Sequence, residues 1–138
     1  MITEETVKAT LVPCEDRMDF LPNFFGFSLM LIGEGLIYQW MDRLSEDYNG
    51  GYWHFYTLDN GGFYMAPAID SEMQVVVSGN YYEGKVSADA AGIIATMFAL
   101  GQIASEFPDQ EKLIDLYHLL RGFIYDHPES DEIFKALD

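Results

Sequence analysis

A chain of 138 residues has room for one ordinary domain and not for two. Its 49 % hydrophobic and 22 % charged content excludes a disordered chain, because disorder needs low hydrophobicity. With 7 Lys and Arg against 23 Asp and Glu, the formal net charge of −16 repels nucleic-acid phosphates and anionic membranes, so direct DNA binding and membrane attachment are not expected. Basic surfaces, including those of proteins that hold DNA, are the natural partners of such a chain, unless the acidity serves only solubility.

Cys14 is the lone cysteine, which rules out an internal disulfide and suits a reducing compartment. The start, Met1 to Glu5, lacks the basic region of a secretory signal. The longest apolar tract, Phe20 to Gly33, is broken by Pro22 and Asn23 and falls short of the roughly 20 residues a membrane span needs. The cytoplasm is the expected location.

Thr6 to Val12 reads as an edge strand and Cys14 to Leu21 as a short helix halted before Pro22. Phe24 to Tyr48 is predicted to be one long helix, with Ile37, Trp40, Met41, Leu44 and Tyr48 at three-and-four spacing. Gly33 and Gly35 inside it point to close packing against another element. The helix stops at Asn49-Gly50-Gly51. Tyr52 to Leu58 and Phe63 to Ala66 flank Asp59-Asn60-Gly61-Gly62, a hairpin turn rich in residues that accept positive φ. Glu72 to Val77 and Tyr81 to Val86, joined at Gly79-Asn80, complete a predicted antiparallel meander. Ser87 is a candidate N-cap for Ala88 to Glu106, a helix apolar nearly all round and therefore expected at the centre. Pro108 is expected to open a helix over 109–126 whose buried stripe is Leu113, Leu116, Tyr117, Leu120 and Ile124. Ser130 is expected to cap a last helix, Asp131 to Leu137. The fold class is α+β: a single domain over 1–138, a short β-meander packed with several helices.

Catalytic signatures are missing from this pattern. There is no phosphate-binding glycine loop, and Gly33-Glu34-Gly35 lacks the third glycine of a dinucleotide fingerprint. There is no nucleophile elbow and no kinase set. His118 and His127 are not at the i, i+4 spacing of a helical metal pair, and His54 stands alone in an aromatic strand. The acidic neighbours of Cys14 discourage a thiolate. No catalytic residue, metal or cofactor is expected. Asp42 with Glu46, and Glu111 with Asp115, sit one helical turn apart; they read as solvated faces or as a short imitation of the DNA phosphate row, which Arg43, Lys112 and Arg121 interrupt.

The hairpin carries the strongest surface signal. Strand alternation sends Trp53 and Phe55 to one side and Tyr52, His54 and Tyr56 to the other. One side must be core. The other is either a partner surface, with Tyr and His rings as anchors, or lies under further helices. The candidate partner-binding residues are Tyr52, His54, Tyr56 and Tyr64 on the hairpin, with Asp42 and Glu46 on the preceding helix.

Two long strings carry a resemblance. They are Tyr38-Gln39-Trp40-Met41-Asp42-Arg43-Leu44-Ser45-Glu46-Asp47-Tyr48 and Gly50-Gly51-Tyr52-Trp53-His54-Phe55-Tyr56-Thr57-Leu58-Asp59-Asn60-Gly61-Gly62-Phe63-Tyr64-Met65-Ala66-Pro67. With Leu11-Val12-Pro13, Phe20-Leu21-Pro22, Phe24-Phe25-Gly26 and Ser87-Ala88-Asp89-Ala90-Ala91-Gly92, they closely resemble the ArdB/KlcA family of antirestriction proteins, from about Thr10 to Tyr125. The resemblance implies a compact α+β domain, carried on plasmids and other mobile elements, that protects incoming DNA from type I restriction enzymes by blocking cleavage more than modification. It implies as partner a type I restriction complex or an associated host protein, and it supplies no catalytic residues to carry over.

Overall fold

Residues 6–138 are described by a computed structural model. In chain order they form β1 (Ala9–Leu11), a 3-10 turn (Cys14–Asp16), α1 (Arg17–Phe25), α2 (Met30–Leu44), β2 (Trp53–Leu58), β3 (Phe63–Pro67), β4 (Met73–Val77), β5 (Tyr82–Val86), α3 (Ala88–Glu106), α4 (Glu111–Ile124) and α5 (Ser130–Leu137). The α+β class is as expected, and a single hydrophobic cluster draws residues from Val12 to Ala136.

The strands divide into two antiparallel sheets, β1-β2-β3 and β4-β5, where one continuous meander was expected. The edge strand β1 pairs with β2 through Thr10 and Thr57, and β2 pairs with β3 through Tyr56 and Tyr64. The free edge of β3 does not meet β4 because α3 covers it. Met65 donates its backbone N–H to the Thr96 hydroxyl at 3.3 Å, and that hydroxyl lies 2.8 Å from the Gly92 carbonyl, to which it donates. Gly92 makes this approach possible: a Cβ there would stand 2.4 Å from both the Ala66 Cα and the Met65 carbonyl oxygen. All five residues of β3 are consequently buried. A short side chain and a glycine thus satisfy an edge that another strand would otherwise have to satisfy.

α3 is the central helix, buried on nearly every side as its composition implies. Its length and hydropathy would by themselves suit a membrane span, but most of it lies within the core against α2, β3, α4 and α5. Ser87 caps it, accepting from the Ala90 N–H at 3.0 Å.

The predicted helix over 24–48 is two helices. Gly26, at φ 75° and ψ 163°, ends α1, and the chain turns by 99° into α2. That conformation is open essentially to glycine alone, so the corner is set by one residue. Gly33 then takes the Phe25 ring onto α2, where a Cβ would meet the ring at 2.6 Å; a Cβ at Gly35 would meet nothing within 4 Å among the described residues, so the close packing expected there falls on Gly33 alone. α1 also runs through Pro22, which was expected to stop it. Phe20, Phe24 and Phe25 all pack on Phe63, with ring centroids 5.4, 4.5 and 5.4 Å away, and this tertiary packing outweighs the local cost of a proline in the second turn.

Smaller differences fall at helix ends. α2 stops at Leu44 because Ser45 is extended, at φ −141° and ψ 125°. Pro108 lies in a turn before α4, which starts at Glu111. Leu113, Leu116, Leu120 and Ile124 are buried as expected, with Tyr117 half-buried. Ser130 is the first residue of α5 and not its cap; Glu129 holds that position, with its carboxylate accepting from the Ser87 N–H at 2.9 Å.

Candidate partner-binding surface

Alternation along β2 places Trp53 and Phe55 in the core, as expected. The opposite side neither faces solvent throughout nor lies wholly under helices. It grades from open to closed along a ladder of rings. Tyr52 is 56 % exposed, His54 and Tyr56 are half-buried, and Tyr64 is 2 % exposed. Tyr52 and His54 meet edge to face at 5.9 Å, His54 and Tyr56 lie 6.2 Å apart, and Tyr56 stacks on Tyr64 at 4.7 Å. Tyr64 then stacks on Phe123 of α4 at 5.6 Å. Tyr64, grouped with the surface rings from sequence, is therefore core: its register partner is Tyr56, but its ring lies under α4.

The open end of the ladder is held by Arg17. Its guanidinium carbon lies 4.6 Å from the Tyr52 ring centroid and 3.9 Å from that of Phe55, and Nη2 donates to the Trp53 carbonyl at 2.9 Å. Cation–π contact and the hydrogen bond together fix a ring that would otherwise swing free. The closed end is held by Asp89 in the first turn of α3. One carboxylate oxygen accepts from the Tyr64 hydroxyl at 2.8 Å, and the other contacts Nε2 of His127 at 2.8 Å. His127 Nδ1 accepts from the Glu129 N–H at 3.0 Å, so the ring proton sits on Nε2 and points at Asp89. Burial, with the Asp89 charge and hydrogen bond, drives the Tyr64 hydroxyl far above its ordinary range; burial and the same charge raise Tyr56. These phenols are hydrogen-bonding groups and not proton donors poised near neutral pH.

The two acidic candidates separate. Asp42 is exposed on α2, but Glu46 lies beyond the helix end, because Ser45 leaves helical geometry and its hydroxyl accepts from the Asp47 N–H at 3.2 Å. They do not form a charge row on one helix face. Glu111 and Asp115 do share α4, both exposed. Among the described residues no three His, Cys, Asp or Glu side chains gather as metal ligands. Ser87 and His127, though near in sequence to carboxylates, are both occupied: the Ser87 hydroxyl donates to Glu129 and caps α3, and His127 is buried.

Two residues that shape this surface, Arg17 and Asp89, were not singled out in the sequence, and a third, His127, was weighed only as a metal ligand. Arg17 had one signal, a lone base among Glu15, Asp16 and Asp19. Asp89 appeared within the family-like string that opens the central helix, and His127 as one histidine of a rejected pair; their meeting depends on α4 folding back over α3.

The family described as Antirestriction protein has a sequence model that matches residues 46–138. Among similar proteins, one Escherichia coli antirestriction protein KlcA is 51 % identical over 138 residues, spanning 98 % of this chain and 97 % of that protein. A second KlcA from Escherichia coli is 50 % identical over 137 residues, covering 96 % and 94 %. A solved structure from work on the KlcA and ArdB proteins superposes with a TM-score of 0.91 at 54 % identity, covering 100 % of both chains. That work reports a novel fold and antirestriction activity against type I DNA restriction systems in vivo but not in vitro. This chain belongs to the antirestriction protein family.

Proposed function

We propose that this protein protects unmodified DNA from type I restriction inside the cell, in the cytoplasm, by binding a protein and without catalysing a reaction. The observation that carries this is the whole-chain likeness to a solved structure from the work on KlcA and ArdB, proteins that act against type I systems in vivo but not in vitro. A stoichiometric decoy for the DNA site would act on purified enzyme as well as in cells. Dependence on the cell points to a contact that needs another cellular component, an associated host protein being the simplest. The described surface agrees with a binder: its ring ladder presents Tyr52 as a fixed, half-exposed anchor, and rigid aromatic anchors lose little entropy on binding.

A mobile-element origin belongs to the same reading. The charge of −16 favours a basic target and disfavours DNA itself. The test compares cleavage in two settings. Unmodified phage should plate more efficiently on a type I restricting host that makes the protein, while the purified protein should leave cleavage by purified restriction enzyme unchanged. Full inhibition of the purified enzyme would contradict the need for a second component.

A further inference from the structure

A groove lies away from the ring ladder, between the end of α2, the β4-β5 hairpin and α3. It encloses about 700 Å³ and is lined by Trp40, Leu44, Val76, Val77 and Phe98, with Glu46, Asp47 and Glu83 along its polar lining. Its floor is an aromatic pair: Trp40 stacks on Phe98 with ring centroids 4.7 Å apart and planes within 18°. Past that pair a second hollow of about 320 Å³ continues along Gly101, Tyr117 and Leu137, so Trp40 and Phe98 are shared by both. The floor is well fixed, because Trp40 Nε1 donates to the Gln102 side-chain oxygen at 2.8 Å.

Glu46, Asp47 and Glu83 share the groove lining with one base; Asp47 accepts from the Gln74 backbone N–H at 2.8 Å and Glu83 from the Gln74 side-chain amide at 3.4 Å. That base, Arg43, is drawn over the Trp40 ring at 4.6 Å. Val76 stays 44 % exposed at the opening. The wall formed by the β4-β5 turn ends in Tyr81, which is 95 % exposed and held at φ 63°, a conformation a bulky side chain rarely takes. Asn80 fixes the turn from behind, donating to the Ala136 carbonyl at 2.6 Å and accepting from the Tyr82 N–H at 3.0 Å.

We infer that this groove docks a basic polypeptide segment of a host protein, with an apolar side chain on the Trp40–Phe98 pair and flanking Lys or Arg facing Glu46, Asp47 and Glu83. The inference rests on the reading that the protein works by protein contact. The apolar floor excludes a purely electrostatic ligand, and the carboxylates exclude nucleic acid. They also oppose a second copy, whose own acidic rim would meet this one. Hydrophobic floor with charged rim is the arrangement in which area supplies affinity and charge supplies orientation.

Trp40 supplies the readout, since the other tryptophan, Trp53, is 3 % exposed. The wild-type chain is titrated with a synthetic amphipathic Leu–Lys helix and, separately, with a Leu–Glu helix of the same length. The Leu–Lys peptide should shift Trp40 emission to saturation, and the Leu–Glu peptide should not. E46K/E83K should weaken the Leu–Lys binding by about tenfold or more, because it turns attraction into repulsion at the rim. E111K/D115K changes the net charge equally, away from the groove, and should weaken it by less than about threefold through the screened overall field. Circular dichroism establishes that both variants fold. In cells, E46K/E83K should lose protection against type I restriction and E111K/D115K should keep it. Equal effects of the two variants on peptide binding would overturn the groove, and so would wild-type protection by E46K/E83K. A wild-type dimer in sedimentation that E46K/E83K dissociates would show a second copy as the occupant and would also overturn it. A wild-type chain that binds the peptide yet protects nothing would instead count against the functional reading.

Discussion

Thr96 on α3 stands to Met65 on β3 as a neighbouring strand would. Its hydroxyl takes the outward N–H of Met65 at 3.3 Å and lies 3.4 Å from the Met65 carbonyl. With the close approach at Gly92, this side chain helps α3 cover the edge of β3, and β4 and β5 form a separate hairpin, which becomes a wall of the acidic groove. Thr96→Val keeps the shape and removes the acceptor, leaving a buried N–H unmatched. It should destabilise the fold by about 1–3 kcal/mol in denaturant unfolding. Gly92→Ala should be worse, about 3 kcal/mol or more, because its Cβ would meet backbone and not a movable side chain. Wild-type stability in either variant would show that α3 does not seal this edge.

The α1–α2 corner rests on Gly26. Gly26→Ala should lose about 2 kcal/mol, since its φ of 75° with ψ of 163° strains any residue with a Cβ. Gly35→Ala, in the same sequence neighbourhood, meets nothing within 4 Å and should gain up to about 1 kcal/mol from helix propensity. Thermal or urea unfolding of the pair distinguishes a corner from a continuous helix, in which both changes would stabilise.

Alkaline pH should unfold the protein through its phenols. Burial, then Asp89, raises Tyr64, and burial, then Glu34, pushes Tyr38 up to about 12. Above pH 10 the unfolded chain releases phenolic protons that the folded chain still holds, so the folded state loses ground as pH rises. This contribution is complete below the ordinary phenol value of 10.0 and disappears as pH climbs through the raised folded values. Melting temperature should hold up to about pH 10 and fall steeply from there toward pH 12, and less steeply in Tyr64→Phe. An equal slope in the two proteins would remove Tyr64 from this account.

Much of the α+β design was legible in residue order. The hairpin turn, the Ser87 cap and the apolar all-round α3 rest on local chemistry and appear as expected. The errors share another origin. Pro22 lies inside a helix because three phenylalanines converge on Phe63, and the meander divides because α3 covers β3; both causes are distant in sequence. The candidate site was half legible for the same reason. Alternation correctly separated Trp53 and Phe55 from Tyr52, His54 and Tyr56, but it could not place α4 over Tyr64. Nor could it gather Trp40, Val76 and Phe98 into one groove, since these belong to three elements.

Under the proposed function, protection depends on particular contacts and not on summed negative charge. The direct measurement is the plating efficiency of unmodified phage on a type I restricting host making the wild-type chain, Tyr52→Ala, or the neutralised set D42N/E111Q/D115N, with folding verified for each. Asp42, Glu111 and Asp115 are exposed and Tyr52 is 56 % exposed, so both variants should fold, with Tyr52→Ala giving up only its contacts with Arg17 and His54. Wild type should protect, Tyr52→Ala should lose protection in keeping with an anchor worth about 2 kcal/mol of binding, and the neutralised set should protect nearly as well as wild type. Loss of protection in the neutralised set, with full protection retained by Tyr52→Ala, would contradict the contact account and favour a charge decoy.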